Sequence, residues 1–135
     1  MTDQVVRLTG GCHCDAVRFE FDAPVGWQPL ECNCSICRRS GYLHLIVPRA
    51  AFRLLQGEAA LTCYTFNTGV AQHLFCRHCG VKSFYVPRSH PDCYSVNVRC
   101  LDDIDLARIQ PLPFDGQNWE RAAAGLSKDA PGHDR

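Results

Sequence analysis

Glu31-Cys32-Asn33-Cys34-Ser35-Ile36-Cys37-Arg38-Arg39 places three thiols within six positions, spaced C-x-C-x-x-C. Thiolates are soft ligands suited to zinc, and a zinc ion with three protein ligands keeps a fourth position where chemistry can happen. The rest of the chain reads as a scaffold around this knot.

Two further pairs flank it, Cys12-x-Cys14 and Cys76-x-x-Cys79. A tetrahedral zinc with Zn–S near ~2.3 Å needs sulfurs roughly 3.8 Å apart. C-x-x-C reaches that spacing in a tight turn, and Gly80, directly after Cys79, permits the backbone angles it requires. Cys12 and Cys14 fall on one side of an extended segment, whose side chains repeat every two residues. Gly10 and Gly11 let that segment curl. The expectation is a closed, structural four-cysteine site stapling the first strand to the middle of the chain.

The fate of the knot's fourth position stays open. Cys63, Cys93, Cys100 or a histidine can close it and make it structural. An exogenous thiol or water would make it catalytic, because zinc turns such a ligand into a nucleophile at neutral pH. Arg38 and Arg39 are candidates to hold a substrate carboxylate. Cys63 and Cys100 read as small buried apolar residues. His44 and His73 sit among apolar neighbours and read as core or hydrogen-bonded histidines. His13 and His78 are expected to point outward.

Ten cysteines in 135 residues suit either a disulfide framework or metal binding. The start, Met1-Thr2-Asp3-Gln4, lacks the basic and apolar regions of an export signal, so a cytoplasmic setting with reduced thiols is expected, and metal is favoured. Lys plus Arg number 14 and Asp plus Glu 14. That balance argues against nucleic acid or an acidic membrane held by bulk charge. No apolar run approaches the roughly 18–20 residues that span a bilayer.

Strand candidates run along the chain: Val5–Leu8, Ala16–Phe21, Leu43–Val47, Phe52–Gln56, Leu61–Phe66, Ala71–Phe75, Lys82–Val86 and Tyr94–Val98. Val17, Phe19 and Phe21 alternate with Arg18 and Glu20, the pattern of a half-buried strand. Ser35 to Arg39 is expected to make one helical turn. Pro111, Pro113 and Gly116 mark loops. Asn118 is a plausible N-cap for a short C-terminal helix from Trp119 to Ala124, closed by Gly125. The fold class expected is mainly β, small antiparallel sheets organised around zinc. One domain over residues 1–126 and a loose tail over 127–135 complete the reading.

Gly10-Gly11-Cys12-His13-Cys14 with Ala16-Val17-Arg18-Phe19-Glu20, then the knot, then Phe75-Cys76-x-x-Cys79-Gly80, resembles the glutathione-dependent formaldehyde-activating enzyme family. Cys32–Cys37, Phe52–Gly57, Tyr64–Thr68, Gly80–Tyr85 and Pro87-Arg88-Ser89 look like its centromere protein V branch. The resemblance covers roughly Val5 to Ala124. It implies small antiparallel sheets around zinc, structural ligands Cys12, Cys14, Cys76 and Cys79, and catalytic ligands Cys32, Cys34 and Cys37. The implied reaction joins glutathione and formaldehyde into S-hydroxymethylglutathione, a carbon–sulfur lyase chemistry with small-molecule partners and two zinc ions. Asn33 departs from the His many family enzymes carry between the first two cysteines of the knot, as the centromere branch does. The basic extension and chromosome role of the vertebrate centromere protein are not expected here. Beside the enzyme stand two alternatives, a non-catalytic zinc-stabilised binding module and a redox or metal sensor with exposed thiolates.

Overall fold

The computed structural model describes residues 4–118. Trp119–Ala124, read as a helix, and the tail at 127–135 lie outside them.

Three sheets run through the described residues. The first is β1 (Val5–Gly11), β2 (Arg18–Pro24) and β5 (Phe52–Gln56), antiparallel with β2 in the middle. The alternation read from the sequence holds: Val17, Phe19 and Phe21 are buried while Arg18 and Glu20 lie on the wetter face. There Arg53 pairs with Glu20 at 2.6 Å and with Asp22 at 3.3 Å. The strand runs past the expected loop at Asp22, because Asp22 and Ala23 still find partners in Arg7 and Val6.

The second sheet has the order β10-β3-β4-β9-β8: β3 is Leu30–Cys32, β4 Leu43–Pro48, β8 Phe84–Tyr85, β9 Cys93–Asn97 and β10 Leu112–Phe114. Its central strand β4 is buried from Leu43 to Val47, as a continuous apolar run requires. The third sheet is a ribbon of β6 (Leu61–Tyr64) and β7 (His73–Cys76). It is fastened to the second by paired backbone hydrogen bonds between Gln72 and Val86.

The core lies where the first two sheets face each other. Phe19 stacks on Phe52 at 5.3 Å and meets Phe84 edge-on at 5.7 Å. Val17, Leu45, Val47, Val96 and Val98 fill the space around them.

One pairing departs from the antiparallel expectation. β10 runs parallel to β3, with Phe114 beside Cys32. The segment reads as loop because of Pro113, but an edge strand tolerates a proline on its free side. β3 itself is only three residues long, too short to register as a strand in the sequence.

Candidate metal centres and the cavity beside them

Cys12 follows β1, Cys14 lies in the next turn, and Cys76 and Cys79 bracket the knuckle after β7. All four sulfurs lie within 4.8 Å of one another. Cys14 Sγ is 3.7 Å from both Cys12 Sγ and Cys76 Sγ, the spacing a tetrahedral sulfur set needs. Backbone amides complete the arrangement: Val17 N–H donates to Cys12 Sγ at 3.3 Å and His78 N–H to Cys76 Sγ at 3.4 Å. Gly80 adopts φ 77°, the left-handed geometry that closes the knuckle, and its N–H donates to the Cys76 carbonyl at 2.8 Å. His13 and His78 are exposed, as expected.

The knot sits at the edge of the second sheet. Cys32 ends β3, Cys34 caps a short helix α1 (Ser35–Ser40), and Cys37 is buried within it. The three sulfurs again lie within 4.8 Å of one another, and among the described residues no fourth Cys, His, Asp or Glu joins them. Thiols this close share their protons. The Cys34 thiol is held far below its ordinary value, first by the hydrogen bond from Cys32 and then by that from Cys37. Cys37 is pushed up by the same contacts with Cys32 and Cys34, then by burial. Both clusters can therefore hold a thiophilic metal ion such as zinc: one closed by four sulfurs, one with three.

His44 on β4 contacts the knot without joining it. Its Nε2 lies 3.1 Å from Cys37 Sγ. Its Nδ1 lies 3.0 Å from Ser95 Oγ on β9 and 3.2 Å from Tyr85 Oη on β8. Burial, and then the charge of Lys82, pull His44 down to about 3, so the ring is neutral. With Nδ1 accepting from the nearer hydroxyl, that of Ser95, Nε2–H donates to the sulfur, the pattern that orients and tunes a metal-bound thiolate.

The other side of the knot is walled by the residues after β10. Asn33 is clasped by them: its Nδ2 donates to Asp115 Oδ1 at 3.0 Å, its Oδ1 accepts from Gln117 N–H at 3.0 Å, and its own N–H donates to the Phe114 carbonyl at 3.2 Å. Gly116 passes so close that an added Cβ would collide with Cys32 Sγ.

A cavity of about 430 Å³ opens on the knot. Cys32, Cys34, Cys37, His44, His73 and Tyr85 form its polar floor. Ile36, Ile46, Phe66 and Phe114 supply apolar walls, and Arg88 is the charged side chain among its lining residues. Arg38 and Arg39 are not brought to it. Both are exposed on α1, and the Arg39 guanidinium donates back to the Ser35 carbonyl at 3.0 Å. A helix turn that points Cys37 inward necessarily points the next two residues away. The arginine that lines the cavity is instead Arg88, which the sequence offered only inside Pro87-Arg88-Ser89.

The remaining cysteines do not reach the knot. Cys63 is exposed, against the expectation of burial, because β6 is a two-stranded ribbon with an open face. Cys93 and Cys100 are partly buried, and burial pushes the Cys100 thiol up to about 11. His44 and His73 are buried and hydrogen-bonded. What the sequence did not reveal is that they, with Lys82 and Tyr85, surround the knot.

Fold and site together define a class: a mainly β protein whose sheets are clasped by one four-cysteine cluster and which carries a three-cysteine cluster on a cavity wall. The model of the family described as glutathione-dependent formaldehyde-activating enzyme matches residues 7–117. Among solved structures, a crystal structure of a Rhodobacter sphaeroides protein, a structural genomics target, superposes with a TM-score of 0.72 at 35% identity. The match covers 78% of this chain and 97% of that one. The chain belongs to the glutathione-dependent formaldehyde-activating enzyme family. These matches reach the family and not a branch within it. No helix among the described residues is long and apolar enough to cross a membrane.

Proposed function

We propose that this protein is a carbon–sulfur lyase-type enzyme that joins a small thiol such as glutathione to a small aldehyde such as formaldehyde. The observation that carries the reading is the three-sulfur cluster with no fourth protein ligand, opening on a cavity of about 430 Å³. In this reading Cys12, Cys14, Cys76 and Cys79 hold a structural zinc, and Cys32, Cys34 and Cys37 hold a second, catalytic one. The second ion, when bound, supplies a site where the substrate sulfur rests as a thiolate. His44 Nε2–H orients Cys37 through its 3.1 Å contact. Arg88, in the cavity lining, supplies the positive charge that meets a substrate carboxylate. The apolar walls exclude water from the newly formed, easily reversed C–S bond. Holding sulfur and aldehyde side by side contributes the entropic share of the rate. A cytoplasmic setting, where thiols stay reduced, suits this chemistry.

The test is glutathione binding to the two-zinc protein by calorimetry, with formaldehyde–glutathione exchange followed by NMR. Binding and accelerated exchange are expected in the wild type, with both abolished in Cys34→Ser. A fully metallated protein that binds no thiol would sink the reading and leave a zinc-stabilised binding module in its place.

A further inference from the structure

Lys82 stands out as a cation placed under the cavity floor. Its Nζ lies 2.6 Å from His73 Nδ1, 3.8 Å from the centre of the Tyr85 ring and 4.9 Å from that of Tyr42. No carboxylate pairs with it among the described ion pairs. The aromatic faces and the sulfur cluster take that place.

His73 is the other half of the arrangement. Two aromatic rings stack on its ring, Tyr85 at 4.9 Å and 13° and Phe66 at 5.4 Å and 20°. These near-parallel contacts restrain the plane of the ring. Nδ1 is engaged by Lys82, which can only donate as an ammonium, so the ring carries its proton on Nε2. That Nε2 is buried with no hydrogen-bond partner among the described residues. A buried polar atom without a partner costs roughly 1–3 kcal/mol, so its persistence calls for an explanation. His73 also lines the cavity that holds Cys32, Cys34 and Cys37.

We propose that His73 is a catalytic residue whose Nε2–H serves the aldehyde oxygen, and that Lys82 is the positioning residue that fixes its tautomer and replenishes its proton. The inference rests on the thiol–aldehyde reading and adds the residues that handle oxygen. The sulfur pair forms the C–S bond at the carbonyl carbon, and the C=O π pair moves to oxygen. His73 Nε2 gives its proton to that oxygen as a Lys82 Nζ proton passes to Nδ1. The proton lost when the thiol ionised returns through solvent to His73 Nε2 while the Nδ1 proton passes back to Lys82, which restores the starting tautomer, so thiol plus aldehyde equals hydroxymethyl thioether with nothing left over. Charge and burial are consistent with these roles. His73 is pulled down to about 4 by burial and by Lys82, hence neutral. Burial also lowers the Lys82 ammonium to about 8, offset in part by the knot's sulfurs. A proton donor works best with its pKa near the working pH.

The experiment uses the full chain with both metal sites loaded. Lys82→Met and His73→Leu are expected to lower kcat for glutathione–formaldehyde exchange by about 100-fold, the size of a general-acid contribution. KM for the thiol and the zinc content should be unchanged. His73→Gln, whose amide N–H can still donate, is expected to recover part of the loss. A second readout is independent of turnover. ¹⁵N NMR should show His73 protonated on Nε2 in loaded and metal-free wild type, and a mixture of tautomers in Lys82→Met. An active wild type whose Lys82→Met and His73→Leu variants match it in kcat overturns this inference alone. A wild type that neither binds glutathione nor accelerates exchange overturns the reading beneath it as well.

Discussion

Gly116 shows how one missing atom shapes the knot. It lies 84 positions from Cys32 in the chain, yet a Cβ there would collide with Cys32 Sγ and approach Cys34 Cβ to 2.9 Å. Gly116→Ala must therefore lift the passing backbone or displace a sulfur. In protein loaded with zinc, the expected result is a knot that yields its ion to a mild competing chelator while the four-cysteine cluster keeps its own. Metal retention equal to wild type would refute the close approach. At this scale the sequence was informative for cysteines and poor for everything else. C-x-C and C-x-x-C advertise ligands by spacing alone. Lys82, His73 and Arg88 carry no spacing signal, because their roles arise from neighbours far away in the chain.

At the scale of elements, the edge strand β10 and the residues after it form a strap clasped by Asn33 from inside the knot. Two of the four bonds between Asn33 and the strap use the Asn33 side chain, and side-chain hydrogen bonds of this kind contribute about 0.5–1.5 kcal/mol each. Asn33→Ala should cost the fold about 1–3 kcal/mol and loosen the strap locally. Hydrogen exchange at the Gln117 amide is expected to quicken about tenfold, equivalent to about 1.4 kcal/mol of lost local protection. Unaltered exchange there would show that the parallel β3–β10 pairing holds the strap unaided. The long alternating strands were legible because burial on one face writes a period of two into the sequence. β3 and β10 were not: three residues carry no period, and Pro113 argues against a strand until its edge position is known.

Across the whole molecule, the two clusters differ in what they span. Cys14 and Cys76 are 62 positions apart, so the four-cysteine cluster ties β1 to the ribbon of β6 and β7. The knot joins residues only a few positions apart. Removing a ligand from the first, as in Cys79→Ser, should cost more than about 4 kcal/mol, the range associated with loss of a structural metal. Cys34→Ser should cost far less, since short loops lose little closure entropy on opening. Thermal unfolding of both variants at equal zinc tests the contrast, and comparable losses would contradict it. The sequence by itself determined the cysteine groupings, the β class and the alternating core, because each is encoded in residues close together. Only the tertiary structure decided which wall the knot faces, that Arg38 and Arg39 turn away from the cavity, and that Lys82, His73 and His44 gather beneath it. Those relations depend on sheet order and register, which bring distant segments side by side and leave no trace in local spacing.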